Sequence, residues 1–308
     1  VSLANFKQAR EIRLISQYGI QILTIPHASS LFEIIGAKLR RFAMRLQDIC
    51  NGTATLTLKQ VAQDADLVKQ IQVRLRDLQM PIGEPDGHCG ALTSAAIARF
   101  CQAFNAANDD LTPEIAKQLI QAKTIPNCNP LLEMLAPRQI ADILDCPPGD
   151  VQTYLPRVLQ AFHQHQLLNR STLIAAIATI GVETGGFRPI HEWGGNDYFT
   201  EMYENREDLG NIYPGDGARY HGRGFVQITG RANYREYGQK LGCQLEDNPD
   251  LALDPKIAAE ILALYFYDRE VNAAAQKHDW EQVRRAVNGG LNGWDEFIHF
   301  VKQAQKML

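Results

Sequence analysis

The chain has 308 residues, 45% of them hydrophobic and 21% charged, with a formal net charge of -4. That length suits a large domain plus a small module, and the composition excludes a disordered chain. The weakly acidic balance argues against a nucleic-acid binder and withholds the broad basic surface that would steer the protein to an anionic polymer.

In chain order, Arg10 and Arg13 precede an apolar patch at residues 20–25, the order of a secretory leader. Gln21, Pro26 and His27 interrupt that patch and no A-x-A site follows, so no convincing signal peptide is present. Residues 1–60 receive no assignment beyond one expected helix over 31–49, where Leu31, Ile35, Leu39, Phe42 and Leu46 recur at three and four. Residues 51–55, Asn-Gly-Thr-Ala-Thr, read as a loop.

Three short helices are expected over 64–123. Leu67, Ile71, Leu75 and Leu78 stripe the first; Ile97, Phe100 and Phe104 stripe the second; Thr112-Pro113-Glu114 opens the third with a cap and a proline at the first turn. Gln72 and Leu75, then Asp86-Gly87, Gly90, Thr93, Ala96-Ile97 and Phe100, resemble the peptidoglycan-binding module appended to many cell-wall hydrolases. Phe100-Cys101-Gln102 and the loop 105–110 depart from that pattern. Residues 124–135, with two prolines, read as a linker.

From 131 to 308 the pattern is helix-rich. Ser171 is expected to cap a helix with Leu173, Ile177 and Ile180 facing a core, ended by Gly185. Asp254-Pro255 starts another helix, and Asp279 with Gln282 resembles a capping box for one stopped by Gly289-Gly290. The apolar run 172–182 is far shorter than the roughly 20 residues a bilayer demands, so no membrane insertion is expected. The six cysteines (Cys50, Cys89, Cys101, Cys128, Cys146, Cys243) form no C-x-x-C pair. Free thiols are the simpler reading, with Cys128–Cys146 or Cys89–Cys101 left open as disulfides.

The chemistry concentrates in two stretches. Glu183 closes an apolar helix, where the negative helix end and partial burial disfavour its charged form, as a general acid at neutral pH requires. Glu192 lies beyond a glycine break and can serve as a base, with Glu204 as its rival. From Tyr220 to Tyr234, Gly222 and Gly224 permit close ligand approach, and Gln227, Thr229 and Asn233 offer neutral donors and acceptors suited to sugars. The run 225–229 alternates as a short strand would, or is an irregular connection. His163 and His165 point about 200° apart on a helix, which argues against a shared metal; His191 and His221 are read as hydrogen-bonding residues.

Glu183-Thr-Gly-Gly, Glu192, Tyr220-x-Gly-Arg-Gly-x-x-Gln-x-Thr229, Asn233-Tyr234 and Val287-Asn-Gly-Gly290 resemble the catalytic domain of glycoside hydrolase family 19. The resemblance implies a mainly α, lysozyme-like domain over 131–308 and metal-free, cofactor-free inverting hydrolysis of β-1,4-linked N-acetylhexosamine polymers. It also implies Glu183 as general acid, Glu192 as general base, Thr229 as holder of the attacking water, and Gln227, Asn233 and Asn288 as substrate contacts. Tyr220 and Arg223 join them as candidate binding residues. Where similar proteins show an arginine after Asn-Gly-Gly, this chain has Glu296, leaving Arg223 or another arginine to supply the charge. Peptidoglycan is the expected substrate and partner, chitin the alternative, and a catalytically silent glycan-binding protein the third reading. A monomer, secreted or acting at the cell wall, is expected.

Overall fold

The computed structural model describes residues 44–308 and, as backbone alone, the antiparallel strands Glu11–Ser16 and Gly19–Thr24. The second strand takes in most of the apolar patch at 20–25. Residues 31–43 of the expected helix lie outside the described residues, and its end is the short helix Leu46–Cys50.

The architecture is mainly α, as expected, with two hydrophobic cores. The first gathers Leu67, Val68, Ile71 and Leu75 of helix Ala65–Asp77, Ile97 and Phe100 of helix Ala91–Ala103, and Ile115 and Leu119 of helix Pro113–Gln121. Leu46, Ile49, Leu56 and Val61 belong to it as well, so this unit begins well before residue 64. Gln72 shapes its central loop: the side-chain amide donates to Asp86 Oδ1 at 2.9 Å, His88 O at 3.0 Å and Thr93 Oγ1 at 3.1 Å, and accepts the Gly87 N–H at 2.8 Å. Gly87 has a φ of +80°, and a Cβ there would stand 2.7 Å from Ala65 O. Four of the residues that carry the module resemblance, Gln72, Asp86, Gly87 and Thr93, are thus engaged in folding the loop, and Leu75, Ala96, Ile97 and Phe100 lie in the core.

The second core runs from Leu131 to Leu308. At its centre lies helix Arg170–Thr184, buried without a break from Thr172 to Gly181. A helix apolar on every side is an interior helix, so the single face of Leu173, Ile177 and Ile180 understates its burial. A Cβ on Gly181 would meet Leu144 and Phe300 side chains at 2.7 and 2.8 Å. Its cap is Asn169, whose side chain accepts from Thr172 N at 3.0 Å, and not Ser171, whose hydroxyl pairs with His278. Gly185, with φ +62°, ends it. Asp254 and Asp279 cap helices Pro255–Asp268 and Trp280–Asn288.

The expected linker is packed: Ile125 is buried in the first core and Leu131, on helix Pro130–Met134, in the second. The two cores also meet at the end of helix Trp294–Met307, whose last carbonyls lack partners within the helix. Arg76 and Arg170 both donate to Gln305 O (2.7 and 2.6 Å), Glu84 N–H donates to Lys306 O at 3.0 Å, and Gln139 donates to Met307 O at 3.1 Å. Gly83, with φ +80°, lies so close that a Cβ would stand 2.9 Å from Lys306 O.

All six cysteines are free thiols; burial pushes the Cys101 thiol up to about 11. Among the described residues no helix is long and apolar enough to cross a membrane, and no group of three or more potential metal-ligating side chains occurs.

Candidate active site

An open cavity of about 540 Å³ is lined by Glu183, Glu192, Gln227, Thr229, Asn233 and Asn288, together with Trp193, Tyr203, Tyr265 and Arg269. That size falls in the range of small-ligand sites. Six of the expected residues therefore share one cleft, although they come from the end of a buried helix, a strand end, a turn and two further helices.

Glu183 is delivered by the last turn of helix Arg170–Thr184 and is 16% exposed. Arg284, on helix Trp280–Asn288 and 2% exposed, reaches it with Nη1 at 2.6 Å from Oε1. The same guanidinium donates through Nε to Asn292 O at 2.6 Å, a carbonyl in the loop after Asn-Gly-Gly. The charge left open at Glu296 is thus supplied by Arg284, four residues before Asn288. Glu296 is exposed in the first turn of helix Trp294–Met307, and Arg223 is engaged elsewhere.

Glu192 follows strand Ile190–His191, which pairs antiparallel with Arg223–Gly224. Its Oε1 accepts the Tyr203 hydroxyl at 2.6 Å and its Oε2 accepts the Gly222 N–H at 2.9 Å. A Cβ on Gly222 would stand 3.0 Å from both Glu192 Oε2 and Gln227 Oε1, which explains the glycine. Burial, and then the hydrogen bond to Glu192, push the Tyr203 phenol above its ordinary value. Glu204 does different work: its carboxylate accepts the N–H groups of Gly215 and Gly217, both at 2.7 Å, and pins the start of the short helix Asp216–Arg219.

Residues 225–227 form a tight turn, closed by a bridge between Arg223 and Ile228, so the alternating run is a connection and not a strand. Gln227 takes a positive φ of 51° and its amide donates to Ile190 O (3.0 Å) and Gly224 O (2.8 Å). Asn233 donates to Thr229 O at 2.7 Å, and the Thr229 hydroxyl donates to Gln227 O at 3.1 Å. These bonds consume donors and leave oxygen lone pairs for a ligand.

Tyr220 and Arg223 do not line the cavity. Tyr220 is 1% exposed and its hydroxyl donates to Glu246 O. Arg223, 6% exposed, donates to Asp250, to the carbonyls of Arg219 and His221, and to the Tyr234 hydroxyl. Both support the wall of the cleft from beneath. His221 stacks on Phe199 with centroids 4.2 Å apart and donates through Nδ1 to Ala218 O, and burial lowers its pKa. Kept neutral, its Nε2 accepts from Nδ1 of His191 at 3.2 Å, so the two histidines brace the strand that leads into Glu192.

Sequence reasoning missed Tyr203, Arg284, Trp193 and Arg269. Arg284 acts through a partner 101 residues away and Tyr203 through one eleven residues away across a glycine-rich break; Trp193, adjacent to Glu192 and 85% exposed, carried the signal of an aromatic beside a candidate base.

Residues 159–284 match the family described as chitinase class I. That stretch therefore matches glycoside hydrolase family 19. The chain is 38% identical over 97 residues to a glycosyl hydrolase family 19 domain-containing protein of Haemophilus influenzae, covering 32% of this chain and 46% of that one. It is 33% identical over 84 residues to chitinase 8 of Oryza sativa subsp. japonica, covering 27% and 29%. The chain thus spans less than half the length of these relatives. Chitinase C of Streptomyces griseus superposes with a TM-score of 0.46 at 20% identity, over 58% of this chain and 79% of that one.

Proposed function

We propose that the chain is an inverting endo-hydrolase of β-1,4-linked N-acetylhexosamine polymers and that its substrate is bacterial wall peptidoglycan. The observation that carries this reading is the presence of two independently held carboxylates, Glu183 and Glu192, in one open cavity. Glu183 protonates the leaving glycosidic oxygen, and Arg284 stabilises the carboxylate left behind. Glu192, oriented by Tyr203 and Gly222, takes a proton from a water that attacks the opposite face of the sugar. The Thr229 hydroxyl, already donating to Gln227 O, accepts from that water. Gln227, Asn233 and Asn288 meet the N-acetyl and hydroxyl groups. No metal and no cofactor enters this scheme. The protein acts as a monomer at the cell wall.

The peptidoglycan reading is supported by the module resemblance in residues 64–123. A wall-binding unit raises the effective concentration of the cleft on an insoluble polymer. Chitin is the second reading, favoured by the description of the matched family and by the neutral amides in the cleft. The silent glycan-binding reading rested on the missing arginine; Arg284 beside Glu183 removes that support.

The test is mass spectrometry of products from purified peptidoglycan and from chitin oligosaccharides, with the product anomer read by NMR. Wild type is expected to release muropeptides of inverted configuration, and Glu183→Gln to lose about 100-fold or more of that rate. Turnover of neither polymer by wild type would sink the hydrolase reading, and turnover of chitin alone would move the substrate to chitin.

A further inference from the structure

Three arginines that support the cleft are paired with carboxylates. Arg223 holds Asp250, Arg231 holds Asp216 and Glu246, and Arg284 holds Glu183. Arg269, just past helix Pro255–Asp268, lines the same cavity as Glu183 and is its one cationic lining residue among the described residues. Its guanidinium lies 4.2 Å from the centroid of the Tyr265 ring and makes no ion pair or side-chain hydrogen bond among the described residues. The platform is fixed: the Tyr265 hydroxyl donates to Val287 O at 2.6 Å, beside Asn288. A guanidinium stacked on an aromatic face keeps its N–H edge available for a planar anion.

We infer that Arg269 selects among glycans by binding a carboxylate borne on the sugar chain, so that the cleft favours an acidic, lactyl- or peptide-substituted polymer over a neutral one. A neutral N-acetylglucosamine chain offers this charge only uncharged acceptors, whereas a lactyl ether or a stem peptide brings a carboxylate on the substituent of alternate sugars. The inference rests on the proposed glycan-hydrolase reading and adds the residue that would set substrate class. A bidentate carboxylate–guanidinium pair forms hydrogen bonds of the strong, charge-assisted kind, and one such contact in a partly open cleft corresponds to about tenfold in affinity.

The test uses the full chain, wild type against Arg269→Gln, with Arg269→Lys as the charge-conserving control. Three probes are used: neutral chito-oligosaccharides, glycan strands stripped of peptide but retaining the lactyl carboxylate, and peptide-bearing strands. Initial rates give kcat and KM, and calorimetry gives affinity whether or not turnover occurs. Arg269→Gln should raise KM or Kd about tenfold on acidic strands, with kcat and the neutral substrate within twofold, and Arg269→Lys should recover part of the loss. Sensitivity on the stripped strands assigns the contact to the lactyl group; sensitivity on peptide-bearing strands alone assigns it to the stem. Equal effects on neutral and acidic probes, or none on either, overturn the inference. A wild type without turnover but with an Arg269-dependent affinity for acidic strands would end the hydrolase reading and leave this inference standing.

Discussion

Arg284 and Glu183 lie 101 residues apart in the chain and 2.6 Å apart in space, and the arginine is almost wholly enclosed. Removing one member of a buried pair leaves the other charge uncompensated. Arg284→Met is therefore expected to destabilise the fold by about 3–5 kcal/mol, read as a lowered denaturation midpoint, and to reduce glycan hydrolysis strongly. The double variant Arg284→Met/Glu183→Gln should recover part of the stability and none of the activity; a double variant as unstable as the single one would show that Arg284 acts mainly through Asn292.

Tyr203→Phe keeps the ring and deletes only the 2.6 Å hydrogen bond to Glu192. Hydrogen bonds to charged groups are worth about 1.5–3 kcal/mol, so kcat is expected to fall roughly tenfold to a hundredfold with KM little changed. Because burial is the larger cause of the raised phenol pKa and Glu192 the second, alkaline absorbance titration should find Tyr203 ionising late in wild type and earlier, though still above an ordinary tyrosine, in Glu192→Gln. An unchanged kcat in Tyr203→Phe would remove Tyr203 from the positioning of Glu192.

Acid sensitivity should arise at Glu246, which bridges Arg235 and Arg231. Those partners, Arg235 foremost, bring its pKa down to about 2 in the folded protein, below the value of about 4.3 for an unfolded-chain glutamate. The unfolded state then binds the proton first. The stabilisation is complete above about pH 4.3 and is lost as pH falls towards 2. Unfolding midpoints measured across that window should drop for wild type and drop less steeply for Glu246→Gln; parallel curves would exclude this residue as a source.

Much of this was readable in residue order and some was not. Gly185, Asp254, Asp279 and Gly289 punctuate helices through local backbone chemistry, and the structure has them as helix ends. Glu183, Glu192, Gln227, Thr229, Asn233 and Asn288 stand in short motifs and share one cavity. Tyr220 and Arg223 occupy the same motif but face inward, because a turn that opposes Arg223 to Ile228 buries one side of the segment, and spacing does not reveal which. The Arg284 contact depends on how two helices cross, and no local pattern encodes that. Ser171 was expected as a cap on residue type, yet Asn169, two residues earlier, satisfies the free N–H.

Gly83→Ala tests the seam between the two cores. It adds a methyl 2.9 Å from Lys306 O at a residue with φ +80°, and a positive-φ alanine alone costs about 1 kcal/mol or more. Faster limited proteolysis within 124–129 and a lower midpoint are expected, with hydrolysis by the surviving folded protein retained. Unaltered proteolysis would mean that the seam tolerates the methyl.

The bond from Arg76 to Gln305 O spans 229 positions. Loop-closure cost rises with such separation, and contacts of this range form late in folding. During synthesis the first core can therefore collapse around Leu67, Ile71 and Phe100 long before helix Trp294–Met307 exists. Until that helix emerges, Arg76 lacks its Gln305 partner and the backbone at Gly83 lacks the Lys306 carbonyl it packs against. The seam is thus a completion step: it closes only once the residues on both sides of the cleft have been made, so a nascent chain has its first unit well before it has a finished second core.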